Sequence, residues 1–189
     1  MSLILLGILN SQAAAAGGAG AYDLLETTTL TGSASVTFTG LDSYSDYKHL
    51  QVRYVARGNS GNLFFVRMQL NNITSSSYSH HFLGKEATDP LTSTGAGSIG
   101  EITYGGMVAG NSNDANVFGA GVMDILDFSS SSKNTTIRAL SGCAGSAEFK
   151  SVVMFSSGAL NSTAAITQLD FTGTYVAGSR FSLYGIKGA

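Results

Sequence analysis

The side chains with the greatest capacity for chemistry are two adjacent histidines, His80 and His81, which are followed closely by Glu86 and Asp89. Imidazole and carboxylate groups at such spacing are common ligands of transition metals. The surrounding pattern is typical of a strand, however, and adjacent strand side chains point to opposite faces of a sheet. We therefore predict no metal site, and interpret Tyr78, His80 and His81 as part of a surface contact loop.

The remaining candidates for catalysis are also poorly placed. Asp124 and Asp127 stand three positions apart in VMDILDF, so on a strand they face opposite sides and do not form an acid–base pair. The chain contains no GxSxG elbow, no phosphate-binding glycine loop and no HExxH helix. Its single cysteine, Cys143, excludes an internal disulfide or a multi-cysteine zinc site, and we interpret it as a buried, inert thiol. The sequence predicts no catalytic residues, no enzyme activity and no cofactor.

The composition indicates a folded β-rich protein with a weakly charged surface. Hydrophobic residues make up 43% of the 189 residues and charged residues only 12%, which is about half the usual charged share of a globular domain. Disorder requires the opposite balance. The net charge is −2 and the ten basic residues are scattered, whereas nucleic-acid binding needs a basic stripe that neutralises phosphates. We expect neither a nucleic-acid partner nor a membrane partner.

A short apolar segment opens the chain, and an Ala/Gly-rich stretch that ends near Ala21 follows it. It is too short to span a bilayer, which takes about 20 apolar residues. It also lacks the preceding basic residues of a secretion signal. Three interpretations stay open, in this order: docking on a partner molecule, folding back on its own domain, and secretion. The docking interpretation assigns the contact to Leu3, Ile4, Leu5, Leu6, Ile8 and Leu9.

The rest of the chain alternates apolar and polar residues with a period of two, as half-buried strands do. Turn-rich pieces separate the strands, which favours a sandwich or barrel. We predict a single all-β domain, a jelly-roll-like antiparallel β-sandwich over residues 22–189 with an extended N-terminal arm and tether over 1–21; an immunoglobulin-like sandwich is the less favoured alternative. Residues 72–100 are expected to hold one short strand, at His80–Lys85, and a long exposed loop. The other predicted strands are 35–39, 49–57, 62–70, 101–109, 116–128, 135–142, 149–157, 165–173 and 180–187.

Several stretches resemble virion structural proteins of tailed bacteriophages, especially phages of marine bacteria and cyanobacteria. They are LLGILNSQAAAAGG, YDLLETTTLTGSASVTFTGLDSYSDYKHLQVR, MDILDFSSSSKNTTIRALSG and SRFSLYGIKG. The resemblance implies location in the virion, self-association, for which a homotrimer is expected, and binding to other virion proteins such as the major capsid protein or tail proteins. It implies a capsid decoration (cement) protein first and a tail or fibre component second.

Two other classes of function remain as alternatives. A module that binds host-surface glycans would use the 72–100 loop together with Tyr44, Tyr47, Tyr78 and Tyr104, because aromatic rings with a polar tip suit sugar faces. A glycan hydrolase would need two carboxylates about 5–10 Å apart in a groove. The sequence favours the structural protein over both.

Overall fold

The computed structural model describes residues 21–86, 89–146 and 150–188. These ranges contain thirteen β-strands and a four-residue 3-10 turn at Leu41–Tyr44. The strands are β1 (Tyr22–Thr29), β2 (Ala34–Thr39), β3 (His49–Ala56), β4 (Leu63–Phe65), β5 (Met68–Leu70), β6 (Tyr78–Glu86), β7 (Thr92–Ile99), β8 (Met107–Ala109), β9 (Gly119–Leu126), β10 (Thr135–Cys143), β11 (Val152–Leu160), β12 (Gln168–Tyr175) and β13 (Arg180–Ile186).

The larger layer is an eight-stranded sheet in the order β1-β13-β3-β9-β10-β11-β6-β7. Every neighbouring pair in it is antiparallel. Alternation gives the sheet two distinct faces: on β10, Ile137 and Ala139 are buried while Arg138 and Leu140 are exposed. The inner face therefore lies on the core, and the outer face is open to solvent within the described residues.

The second layer consists of two small sheets, β2-β12-β5 and β4-β8. Its aromatic side chains meet those of the large sheet, and the rings of Phe171 on β12 and Phe181 on β13 lie 4.9 Å apart between centroids. Phe38 on β2 meets Phe171 edge to face at 6.4 Å. These contacts close an antiparallel all-β sandwich, as the sequence predicted. The jelly-roll connectivity stays a prediction. In the large sheet, β9, β10 and β11 run as a simple meander.

Two segments predicted as single strands are divided or shortened in the structure, where the chain passes from one sheet to another. The segment 62–70 is divided into β4, which pairs with β8, and β5, which pairs with β12. The segment 101–109 forms a strand only over Met107–Ala109, and Gly106 interrupts it with φ 150°. Period-two alternation continues through both segments, so the pattern alone does not reveal where the backbone leaves one sheet for another.

Within residues 72–100, the predicted short strand at His80–Lys85 is confirmed as part of β6, but the expected long exposed loop is wrong. This region forms β6 and β7, which pair antiparallel as the last two strands of the large sheet. The sequence of β7, TSTGAGSI, has no apolar face and little intrinsic strand propensity. Its strand conformation comes from pairing with β6, which a local pattern does not show. β1 is a further strand that the pattern missed.

Candidate partner-binding surface

Four exposed apolar side chains lie on the outer face of the large sheet, where β10, β11 and β6 are neighbours. Large apolar groups are normally scattered singly on a protein surface, so a group on adjacent strands is informative. We call this group the apolar patch. Its members are Leu83 (45% exposed), Leu140 (51%), Val153 (64%) and Phe155 (52%).

The strand register brings the patch residues together. Leu140 is directly opposite Phe155, and Phe155 is directly opposite Leu83. Residues opposite each other on one face have Cβ atoms about 4.5–5.5 Å apart, so these three side chains form a continuous row across three strands. Val153 stands two residues from Phe155 on the same face of β11. A shallow depression of about 380 Å³ runs beside the row and is lined by Leu83, Phe155 and Ser93 among others.

Charged and polar groups border the patch toward the middle of the sheet. The Asp124 carboxylate accepts hydrogen bonds from Gln51 Nε2 at 2.7 Å and from Arg138 Nε at 2.8 Å. Farther along, the Arg53 guanidinium lies over the Tyr184 ring, 4.4 Å from its centroid. An apolar centre with a polar, hydrogen-bonded rim is the usual anatomy of a protein–protein contact.

The residues predicted to form a surface contact loop lie on strand β6, and two of the three are buried. Tyr78 is 1% exposed and His80 is 6% exposed, so neither contacts a partner, and the prediction is wrong for both. The adjacent His81 is exposed and stands two residues from Leu83 on the outer face. The opposite orientation of the two histidines agrees with the alternation expected of a strand.

Burial of Tyr78 and His80 has a clear physical reason. The Tyr78 hydroxyl accepts a hydrogen bond from Leu70 N at 2.8 Å and lies 3.1 Å from Leu70 O, so it pairs with the backbone of β5. His80 packs on the Tyr104 ring at 4.5 Å between centroids, and its Nδ1 accepts a hydrogen bond from Thr103 N at 3.2 Å. Burial lowers the pKa of His80, because the charged imidazolium loses solvation there.

The predicted docking residues, Leu3, Ile4, Leu5, Leu6, Ile8 and Leu9, lie outside the described residues. The patch residues were not singled out from the sequence, although one signal pointed to them. Val152, Val153, Met154 and Phe155 are four consecutive apolar residues, so both faces of β11 are apolar. A strand in contact with solvent on one face should alternate, and an apolar run without alternation is typical of a strand that is covered on both faces.

A polar hollow of about 510 Å³ at one end of the sandwich contains two carboxylates, Asp46 and Asp127. Asp127 accepts a hydrogen bond from Lys133 Nζ at 2.9 Å, and His49 Nδ1 lies 3.6 Å from its other oxygen. The Lys133 ammonium lowers the pKa of Asp127. A glycosidase general acid needs a raised pKa, so Asp127 is unsuited to that role.

Neither a metal cluster nor a membrane-spanning helix is present in the part of the chain that the structure describes. No group of three or more histidine, cysteine or acidic side chains is placed there to hold a metal ion. None of its helices has the length and apolar character needed to cross a bilayer. Cys143 is half-buried, and burial raises the pKa of its thiol.

Comparison with known proteins gives no family for this chain. No family model and no curated protein matches it. Among solved structures, an alginate lyase of Aplysia kurodai is 6% identical, with 75% of this chain and 69% of that chain covered at a TM-score of 0.23. The CBM2 module of the evolved Dit of Lactobacillus casei BL23 phage J-1 is 9% identical, with 88% and 77% covered at 0.18. Likenesses with such low TM-scores carry no argument about fold or function.

Proposed function

We propose that this chain is a non-enzymatic structural protein of a tailed-phage virion, which binds the assembled particle as a capsid decoration (cement) protein. The observation that carries the proposal is the apolar patch, Leu83, Leu140, Val153 and Phe155, on the outer face of the large sheet. The phage class comes from the resemblance of the sequence, and the patch supports the part of the proposal that concerns assembly. The partners would be other copies of the chain, as a homotrimer, and the major capsid or tail proteins.

The size of the patch fits repeated rather than solitary binding. A large apolar side chain has an accessible area of about 150–200 Å², and each patch residue is about half exposed. The four therefore present on the order of 300–400 Å², which corresponds to roughly 8–10 kcal/mol of gross transfer free energy. Loss of translational and rotational freedom costs a similar amount, so one patch alone binds weakly. Repetition in an oligomer or shell makes such contacts effective through avidity.

The proposal is tested by measuring incorporation into particles that lack the protein. The variant Leu140→Thr/Phe155→Thr removes two apolar side chains from the patch and introduces β-branched threonines, which suit a strand. We expect its apparent affinity for the particle to fall about tenfold or more. The matched control is Leu24→Thr, since Leu24 is an equally exposed leucine on the distant edge strand β1 of the same sheet. Equal incorporation of the two variants would contradict the proposal.

A glycan-binding module is the second candidate, and the polar hollow lined by Asp46, Tyr47, Lys48 and Lys133 is the observation that favours it. Hydroxyl-rich ligands suit such a lining of charged and phenolic groups. Of the tyrosines expected to serve this role, Tyr47 lines the hollow, whereas Tyr78 is buried and Tyr104 is packed against Phe82 at 4.7 Å between ring centroids. A glycan array probed with the oligomer tests this candidate, and no binding above background would exclude it.

A further inference from the structure

We infer that the occupant of the apolar patch is the apolar N-terminal segment Leu3–Leu9 of a second copy of this chain. The inference rests on the proposed role of the patch in assembly and names the partner there. It uses two parts of the same polypeptide: an exposed apolar row on the folded sheet, and an apolar segment that precedes the described residues. Each would expose apolar surface to water on its own, and each can cover the other.

The area of the patch favours a narrow occupant over the flat face of another sandwich. A stable interface between two folded domains buries about 800 Å² on each partner. The patch presents on the order of 300–400 Å², which is about half of that. A seven-residue apolar segment that buries about 500 Å² in total gains on the order of 10 kcal/mol gross at roughly 25 cal/mol per Å². The patch is therefore close in size to what such a segment covers, whereas contact with a second sandwich would have to draw about half of its area from the polar surface around the patch.

The charges of the two surfaces also agree. Residues 1–21 contain no Asp, Glu, Lys, Arg or His, so the segment brings no side-chain charge that would lose its solvation on the patch. The centre of the patch is likewise uncharged, and the nearest basic groups, Lys85 opposite Val153 and Arg138 two residues before Leu140, stand at its border. Docking of the segment would bury apolar atoms on both sides and leave these charges in water.

The distance from Tyr22 to the patch favours a segment from another copy. Phe155 lies on β11, five strands from β1 in the sheet order. The residue of β1 that lines up with Phe155 across the sheet is Thr27. With about 4.8 Å between strands and about 3.3 Å per residue, Tyr22 and Phe155 are roughly 30 Å apart. The dozen or so residues from Asn10 to Ala21 span at most about 40 Å when extended, but only about 20 Å on average as a random coil. A segment of the same chain would need a tether extended to about three quarters of its maximum length, whereas one from an adjacent copy has no such constraint.

A cysteine pair in the full chain tests the inference directly. In a Cys143→Ser background, Leu6→Cys is combined with Ser157→Cys, since Ser157 is exposed and lines the depression beside Phe155. The control pairs Leu6→Cys with Thr39→Cys, because Thr39 is equally exposed but lies on β2 in the other layer. Mixing ¹⁴N- and ¹⁵N-labelled chains before oxidation distinguishes disulfides between copies from disulfides within one chain by mass.

We expect the disulfide with position 157 to form between copies, with a yield about tenfold or more above the control pair. A yield no higher than that of the control, or a disulfide found only within one chain, would overturn the inference. A measurement without cysteines gives a second check: Leu6→Ser and Phe155→Thr should each weaken self-association about tenfold, and the double variant should be no weaker than either single variant. Fully additive effects would show that the two residues do not contact each other.

The outcomes separate this inference from the proposed function. If patch variants lose particle binding while no disulfide forms between copies, the patch binds a different virion protein, so the inference fails and the function stands. If the disulfide forms but patch variants still bind particles normally, the segment and the patch associate without a role on the particle. In that case the function fails and the inference stands.

Discussion

At the scale of single residues, the buried His80 shows how one sequence pattern can be right about geometry and wrong about role. Alternation correctly placed His80 and His81 on opposite faces. It did not show which histidine faces the core, because the opposite face, Ser79, His81 and Leu83, also combines a histidine with an apolar residue. The deciding contacts, from Tyr104 and Thr103, come from a region about 20 residues away in the chain.

Burial of His80 predicts a specific dependence of stability on pH. The pKa of the folded-state imidazole lies below its usual value of about 6.5, chiefly because of burial and despite the opposing effect of Glu101; the neighbouring His81 adds slightly to the decrease. The unfolded chain therefore binds more protons below pH ~6.5, so the free energy of unfolding falls as the pH falls from there.

The variant His80→Gln should remove this part of the pH dependence. Glutamine does not titrate, so position 80 then binds no proton in either the folded or the unfolded state. The measurement is the free energy of unfolding by denaturant at several pH values between about 7 and 5. His81→Gln is the matched control, since His81 is adjacent but exposed, and its curve should follow that of the unsubstituted chain. The same steep fall with His80→Gln as without it would refute this account.

Arg57 is a second residue whose role depends entirely on the fold. Its buried guanidinium donates hydrogen bonds to four backbone carbonyls of the loop between β8 and β9, which belong to Asn111 (3.0 Å), Asn113 (3.0 Å), Asp114 (2.6 Å) and Val117 (2.9 Å). Five donors in a fixed planar fork suit this arrangement, whereas the ammonium of lysine has three donors on one atom. Arg57 therefore fixes the conformation of this loop.

We expect Arg57→Lys to lower the free energy of unfolding by about 2–3 kcal/mol, because some buried carbonyls lose their donors. Arg53→Lys is the control, since Arg53 lies on the exposed outer face above the Tyr184 ring, and should cost less than about 1 kcal/mol. Denaturant unfolding at pH 7 measures both values. Equal losses for the two variants would mean that the carbonyl contacts of Arg57 contribute little.

At the scale of elements, the sequence predicts strands well where a strand is long and has one buried face. Alternation located β2, β3 and β9 to β13 within a few residues, because each keeps one side on the core. It missed β1 and β7, which lie at the two edges of the large sheet and expose most residues on both faces. Edge strands take their conformation from a single neighbour, so their own residues carry little of the signal.

Glycines inside the strands make room for a tyrosine ring of the core. Tyr54 on β3 stacks on Phe181 with 5.6 Å between ring centroids. A Cβ atom at Gly121 of β9 would lie 2.2 Å from the Tyr54 ring, which is far inside van der Waals contact. A glycine inside a strand is typical of a bulge or of a close approach, and the sequence does not identify the approaching group.

Gly121→Ala should therefore lower the free energy of unfolding by about 2–3 kcal/mol, because the added methyl group forces the Tyr54 ring to move within a packed core. Gly97→Ala on β7 is the matched control: its Cβ would meet its nearest neighbour, Ser79 Cβ, at 3.9 Å, an ordinary contact. That substitution should change stability by less than about 0.5 kcal/mol. Thermal unfolding of both variants provides the comparison, and unchanged stability of Gly121→Ala would contradict the packing described.

At the scale of the whole molecule, one face of the sandwich is left uncovered by the residues that the structure describes. The inner face of the large sheet is covered by the β2-β12-β5 and β4-β8 sheets, while the outer face exposes Leu83, Leu140, Val153 and Phe155 without a covering layer. The sequence predicted the all-β sandwich and an assembly role, and it assigned the contact to the N-terminal segment, which lies outside the described residues, and to Tyr78, His80 and His81, of which only His81 is exposed. The register identifies the outer patch, because it places residues of β6, β10 and β11 side by side.

If the proposed function is correct, protein covers the apolar patch when the chain is part of a particle. Hydroxyl-radical labelling of the full chain measures this directly, by comparing dilute, unassociated protein with particle-bound protein. We expect labelling of Phe155 to fall about fivefold or more on the particle, since burial excludes the radical along with water. Tyr22, which is 45% exposed on the distant edge strand, serves as the internal reference and should keep its reactivity. Equal labelling of Phe155 in the two states would contradict the claim.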